Sequence, residues 1–125
     1  MAERETVSVP GAPKPIAPFS PAIKAGGLVF VSGQLPLDAS GSMPEDVAAQ
    51  TRQCMENVKA LVEAAGSRME RVVKCTVFLT NMDDFGRMNE VYAQYFRDAP
   101  PARAAVEVSR LARGALVEIE AIALG

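Results

Sequence analysis

Two strand-like segments of this chain are apolar on both parities. Leu28-Val29-Phe30-Val31 is apolar at every position, and Val72 to Thr80 (VVKCTVFLT) is β-branched and nearly unbroken. A strand sends alternate side chains to opposite faces, so strands of this kind need cover on both sides. Yet the 125 residues contain only two stretches of helical periodicity. Two helices can cover one face of a sheet. Something else must bury the other, and for so short a chain a second copy of itself is the economical answer. The length suits one domain over residues 1–125. Such a domain buries roughly two-thirds of its unfolded surface and needs no disulfide or metal staple.

Local signals supply the remaining elements. Five of the nine prolines (Pro10, Pro13, Pro15, Pro18 and Pro21) fall within residues 1–21. They predict an extended arm, residues 1–15 above all, with little regular structure. Ile16 and Phe19 are apolar, so the arm can lie across the domain. Ala22 to Ala25 and Leu28 to Ser32 flank Gly26-Gly27, which predicts a tight hairpin. Ser42-Met43-Pro44-Glu45 fits a capping box with proline in the permitted first turn. Behind it Val47, Thr51, Cys54, Val58, Leu61 and Ala65 form one helical stripe. Gly66 stands where a left-handed cap belongs. Val72 to Thr80 is the next strand. Asp83 or Asp84 then caps a second helix with a core face of Phe85, Met88, Tyr92, Tyr95 and Phe96, ended by Pro100-Pro101. Ala104 to Val108 and Leu116 to Leu124 are two further strands. The order β-β-α-β-α-β-β predicts an α+β fold, a mixed sheet with two helices packed on one face.

Composition narrows the chemistry. Thirteen basic and 15 acidic residues give a net charge of −2, and the pI is near 5.2. That argues against a nucleic-acid partner, which favours a basic stripe. A hydrophobic fraction of 49% is too high for a disordered chain. There is no histidine. The usual general base, the usual zinc ligand and every Ser-His or Cys-His nucleophile pair are therefore missing. Cys54 and Cys75 form no CxxC pattern and read as reduced core residues, not as metal ligands. No apolar run reaches the roughly 18 residues of a membrane span. Met-Ala-Glu-Arg-Glu-Thr-Val lacks the apolar stretch of a signal peptide, so a cytoplasmic location is expected.

A few polar residues interrupt apolar surroundings. By alternation, Glu118 and Glu120 share a strand face with Leu116, Ile122 and Leu124. They are either a solvated edge or structural ion-pair partners, or else one is a proton acceptor in a cleft. Arg103 enters an apolar strand after Pro100-Pro101-Ala102. It is either another ion-pair partner, Glu120 included, or a clamp whose two parallel donors match a carboxylate. Ser32 and Gly33 either end a strand or offer a hydroxyl and a closely approaching backbone to a ligand. Asn89 flanks the core stripe of the second helix, at the surface or at a pocket edge.

The segment Pro101-Ala102-Arg103-Ala104-Ala105-Val106-Glu107-Val108-Ser109-Arg110-Leu111, followed by Val117-Glu118-Ile119-Glu120, closely resembles the C-terminal signature of the RidA/YjgF family of reactive-intermediate deaminases. Pro18-Phe19-Ser20, Phe30-Val31-Ser32-Gly33-Gln34, Asn57-Val58-Lys59 and Asn89-x-x-Tyr92-x-x-Tyr95-Phe96 agree with it, so the match spans nearly the whole chain. The resemblance implies a chorismate-mutase-like α+β fold and a homotrimer with a cleft at each subunit interface. It implies cofactor-free hydrolysis of reactive enamines and imines, such as 2-aminoacrylate and 2-iminopropanoate, to 2-keto acids and ammonia. The arginine matching Arg103 would hold the substrate carboxylate, and the glutamate matching Glu120 would position or deprotonate water. Ser32, Gly33 and Asn89 match positions that line the site. Three residues depart from the family pattern: Phe19 replaces a frequent tyrosine, Ala105 a cysteine of many deaminating members, and Ala112 the proline after Leu111. The first two keep open a binding or regulatory member without catalysis. Some relatives are described as ribonucleases that inhibit translation; the acidic pI and the lack of histidine or an aromatic-basic strip argue against that here.

Overall fold

β2 (Ala22–Ala25) and β3 (Leu28–Gln34) pair antiparallel around Gly26-Gly27, whose φ angles of 60° and 78° suit glycine. β3 pairs antiparallel with the last strand, β6 (Val117–Leu124), and β6 with β4 (Val72–Leu79). β4 runs parallel to β5 (Ala102–Glu107), so a crossover must join them, and the helix α2 (Phe85–Tyr92) supplies it. The computed structural model describes residues 3–125; Met1 and Ala2, where the expected arm begins, lie outside them. The arm departs from expectation in two respects: Ile16 does not pack on the domain but stands fully exposed, and the first residues are not irregular. Arg4–Val7 is a strand, β1, which pairs with β2. It precedes the first proline, so its N–H groups remain able to join a sheet edge. The sheet order is β1-β2-β3-β6-β4-β5.

The first helix, α1 (Val47–Ala64), carries the expected stripe: Val47, Thr51, Cys54, Val58 and Leu61 are buried. Gly66 follows with φ 85°, and its N–H donates to the Glu63 carbonyl. The expected capping box at Ser42 does not form. Asp46 caps α1 instead, its carboxylate accepting from the Ala49 N–H at 2.9 Å. Ser42 belongs to a turn organised by Asp38, which accepts from the Ser40 and Ser42 N–H groups and from the Ser40 hydroxyl. These bonds hold the Asp38 pKa down, the Ser40 side chain most of all. Buried Gln50 ties the start of α1 to the sheet: its amide donates to the Pro44 carbonyl and accepts from the Leu116 N–H, both at 2.8 Å.

The second helix also differs in detail. Neither Asp83 nor Asp84 caps it through a side chain. Asn81 accepts from the Asp83 N–H and starts a 3₁₀ turn, Met82–Asp84, that runs into α2. The helix ends at Tyr92, ahead of Pro100-Pro101. After a 3₁₀ turn, Ala93–Tyr95, Phe96 turns extended and sets its ring against that of Tyr92, with centroids 5.0 Å apart. Phe85 is not core; it is 37% exposed.

Both helices pack on one sheet face. That face buries Val29 and Val31 of β3, Cys75, Val77 and Leu79 of β4, and Val117, Ile119, Ala121 and Ala123 of β6. The opposite face carries Phe30, Val106 and Leu124, each about 40% exposed, with Phe78 and Ile122 half-buried between them. One chain thus leaves this sheet face without a second layer, its apolar residues mixed with Lys74, Thr76, Glu118 and Glu120. Cys54 and Cys75 are free and buried, and burial pushes both thiol pKa values up. Buried, protonated thiols are poor nucleophiles. Among the described residues, no helix is long and apolar enough to cross a membrane.

Candidate functional site

Arg103 sits on β5, an edge strand, directly beside Cys75 of β4. This register turns its side chain to the helix-covered face. There α2 meets it. Arg103 Nη1 donates to Asn89 Oδ1 at 2.7 Å. The guanidinium carbon lies 4.9 Å from the Tyr92 ring centroid and 5.4 Å from that of Phe85. Ala105, two residues further along β5, points to the same face and packs against the core. The Tyr92 hydroxyl is buried without a hydrogen bond. The Cys75 thiol is its polar neighbour but does not reach hydrogen-bond geometry; burial first, and that thiol second, push the tyrosine pKa up.

Ser32, Gly33 and Phe19 lie together elsewhere. The β3–β6 register shifts between Val31 and Gln34, so Ser32 and Gly33 form a bulge. The Ser32 hydroxyl donates to the Ser20 carbonyl at 2.6 Å, and its N–H to the Pro21 carbonyl at 2.9 Å. Ser32 therefore fastens the arm, and its oxygen keeps acceptor capacity. Phe19, next to Ser20, is 53% exposed. With Gly33 it borders a hollow of about 370 Å³ between the arm and α1, whose walls include Val9, Pro15, Leu35 and Leu61.

Glycine at position 33 has a specific cause: a Cβ there would overlap the Glu118 carboxylate. Half-buried Glu118 has its pKa raised, by burial first and by the charge of Glu120 second. Glu120 is exposed on the same face, directly across from Thr76. The Thr76 hydroxyl accepts from Lys74 Nζ at 3.1 Å.

The chain thus assembles two groups of candidate residues. Arg103, Asn89 and Ala105 form one, on the helix side of the β5 edge. Phe19, Ser32 and Gly33 form the other, with Glu118 against Gly33 and Glu120 on the face that lacks helices. The ion pair between Arg103 and Glu120, one of the readings open from sequence, is not made within the chain. Two partners of Arg103, Phe85 and Tyr92, read as core residues in sequence. Their spacing around Asn89 puts all three on one helix face, which is the signal that finds them.

The chain matches the family model described as Endoribonuclease L-PSP over residues 10–125. It is 53% identical over 122 residues to a RutC family protein of Pyrococcus horikoshii, covering 96% of this chain and 97% of that protein. It is 44% identical over 124 residues to a Salmonella typhimurium protein named 2-iminobutanoate/2-iminopropanoate deaminase, covering 96% and 97%. Among solved structures, E. coli TdcF with bound serine matches with a TM-score of 0.92 at 41% identity, covering 97% of this chain and 98% of that one. The α+β architecture is that of such structures, and the chain belongs to the Endoribonuclease L-PSP family, also called the RidA/YjgF family.

Proposed function

We propose that this chain hydrolyses small 2-imino acids and their enamine tautomers to 2-keto acids and ammonia, without a cofactor, in clefts between the copies of a homotrimer. The observation that carries this reading is the separation of the two residue groups. Arg103 offers a guanidinium at an edge strand, while Glu120 stands on the uncovered sheet face of the same chain. A small substrate can meet both only if they come from different copies. Covering the apolar face of Phe30, Val106 and Leu124 with a neighbouring copy supplies that arrangement. The relatives named as imine deaminases support the reaction class, and the serine bound to TdcF supports a ligand that carries a carboxylate.

The chemistry asks little of the protein. An enamine takes a proton at its β-carbon to become the imine. The protonated imine is already electrophilic. Arg103 binds the carboxylate, which does not react. Glu120 holds a water and accepts its proton as the oxygen bonds to the imine carbon. The resulting carbinolamine receives a proton on nitrogen, loses one from oxygen, and breaks its C–N bond to release ammonia and the keto acid. Fixing carboxylate and water together removes much of the cost of bringing two reactants into register.

The test is ammonia release from freshly generated 2-iminopropanoate, with pyruvate binding measured on the same preparation. The proposal expects release well above the spontaneous rate. Binding of pyruvate without faster release would instead identify a carboxylate-binding member.

A further inference from the structure

We infer that Phe85 and Tyr92 are positioning residues that hold the Arg103 guanidinium by its two planar faces, leaving an edge for a flat carboxylate. The inference rests on the carboxylate role of Arg103 proposed above and adds what holds that arginine and what it excludes.

The geometry comes from one helix. Phe85, Asn89 and Tyr92 stand at steps of four and three along α2 and share a face. Residues seven apart on a helix are separated by about 10 Å along its axis. The guanidinium carbon is 5.4 Å from one ring centroid and 4.9 Å from the other. Each distance falls within the roughly 6 Å reach of a cation–π contact, so the cation touches both rings, one near each end of the helix. Asn89, the middle residue, takes a hydrogen bond from Nη1. Phe96 also sets its ring against Tyr92, with centroids 5.0 Å apart.

A guanidinium carries five N–H donors in one plane. With Asn89 using one and two rings on the flanks, a pair of donors along an edge remains for a ligand. A carboxylate fits such a pair with both oxygens in the plane. A phosphonate can place two oxygens there, but its third leaves the plane and meets an aromatic ring. Rings attract the cation through their negative faces and disfavour an anion in the same place. The rings therefore do two things: they hold the arginine still, and they select flat acids. The Tyr92 hydroxyl, which finds no hydrogen bond, has no part in this; the ring is what the site uses.

Calorimetric titration with 2-oxobutanoate and with acetylphosphonate tests the inference. Phe85 is partly exposed, so Phe85→Leu leaves the fold intact, which circular dichroism checks. Phe85→Leu is expected to weaken 2-oxobutanoate binding by about two- to fivefold, the range for one partly exposed cation–π contact. It should also narrow the preference for the carboxylate over the phosphonate. Phe85→Tyr restores both, and Tyr92→Phe, which keeps the ring, retains both. KM rises in Phe85→Leu while kcat changes much less, a split that general loss of structure does not produce. If wild type binds 2-oxobutanoate and Phe85→Leu binds it equally well with the same preference, the inference is wrong while the clamp stands. If wild type binds neither acid, the carboxylate role of Arg103 falls and the inference falls with it.

Discussion

Arg103 and Glu120 occupy opposite faces of one sheet. β4 lies between their strands and fixes the relation: its Cys75 is level with Arg103 on β5, and its next residue, Thr76, is level with Glu120 on β6. Neighbouring residues of a strand point to opposite sides. The two residues asked to act on one small molecule are thus kept apart in each chain, and the proposed site is one that only assembly completes.

Replacing Arg103 examines the clamp. Arg103→Ala should remove most activity while the assembly stays intact. Arg103→Lys should recover little, because an ammonium cannot copy the two parallel donors and fits poorly between two rings. Charge-assisted hydrogen bonds of this kind are worth roughly 1.5–3 kcal/mol, so kcat/KM should fall about 10- to 150-fold in the lysine variant. Wild-type kcat/KM in Arg103→Lys would mean that the fork has no role.

Glu120→Gln separates binding from chemistry. Glutamine keeps size and some hydrogen bonding but accepts no proton at neutral pH. The expected result is a kcat lowered by about 10²-fold or more, with 2-oxobutanoate affinity within a few-fold of wild type. Joint loss of binding and turnover would make Glu120 an organiser of the cleft. Unchanged turnover would mean that another group activates the water.

The bulge on β3 yields a structural prediction. Gly33→Ala places a methyl group on the Glu118 carboxylate. The side chain must give way, and because its carboxylate is the free end of a flexible, half-buried chain the cost should lie near the low end of overpacking, about 1 kcal/mol. In a Glu118→Ala background the same change should cost much less, since the obstacle is gone. Chemical denaturation of the four variants gives the coupling directly. Additive effects would show that Gly33 is glycine for some other reason.

Glu118 also makes stability depend on pH. Burial and the nearby Glu120 charge raise its folded pKa above the ordinary glutamate value. Between those two values the folded state holds more protons than the unfolded chain, so stability falls as pH rises through that window. Glu118→Gln removes this dependence. Its Tm should match wild type below about pH 4, where the unfolded carboxyl is protonated too, and exceed it towards neutrality. Thermal melts across that range measure the difference; one that shrinks with rising pH would contradict the assignment.

Much of the fold was legible because its signals are local. The stripe from Val47 to Leu61, the Gly26-Gly27 hairpin and the two-faced strands each depend on residues close in sequence. The helix caps were not, because Asp38, Ser42 and Asp46 all offer oxygens to nearby N–H groups and the folded turn decides between them. β1 was missed because the prolines that follow it make the whole arm read as irregular, and four residues pair only once β2 presents an edge. For the site, alternation along β6 put Glu118 and Glu120 on one face correctly. Which of them meets Gly33 depends on the bulge, and which face Arg103 takes depends on the β4–β5 register. Both are relations between distant segments. Phe85 shows the limit of apolar patterning: it looks like core, but it stands at the surface beside a cation.

Mixing two inactive variants shows whether Arg103 and Glu120 meet across copies. Light scattering should first show about three times the 13.3 kDa chain mass. Arg103→Ala and Glu120→Gln chains are then unfolded together in equal amounts and refolded. In the proposed trimer each cleft takes its arginine from one copy and its glutamate from the next. In a randomly mixed trimer, about one cleft in four then receives both native residues, by the closed symmetry of such rings. Ammonia release is expected near one quarter of the wild-type rate from two parents that each have almost none. If the mixture stays as inactive as its parents while mass spectrometry shows that the chains have mixed, the two residues do not meet across copies, and the proposed site is wrong.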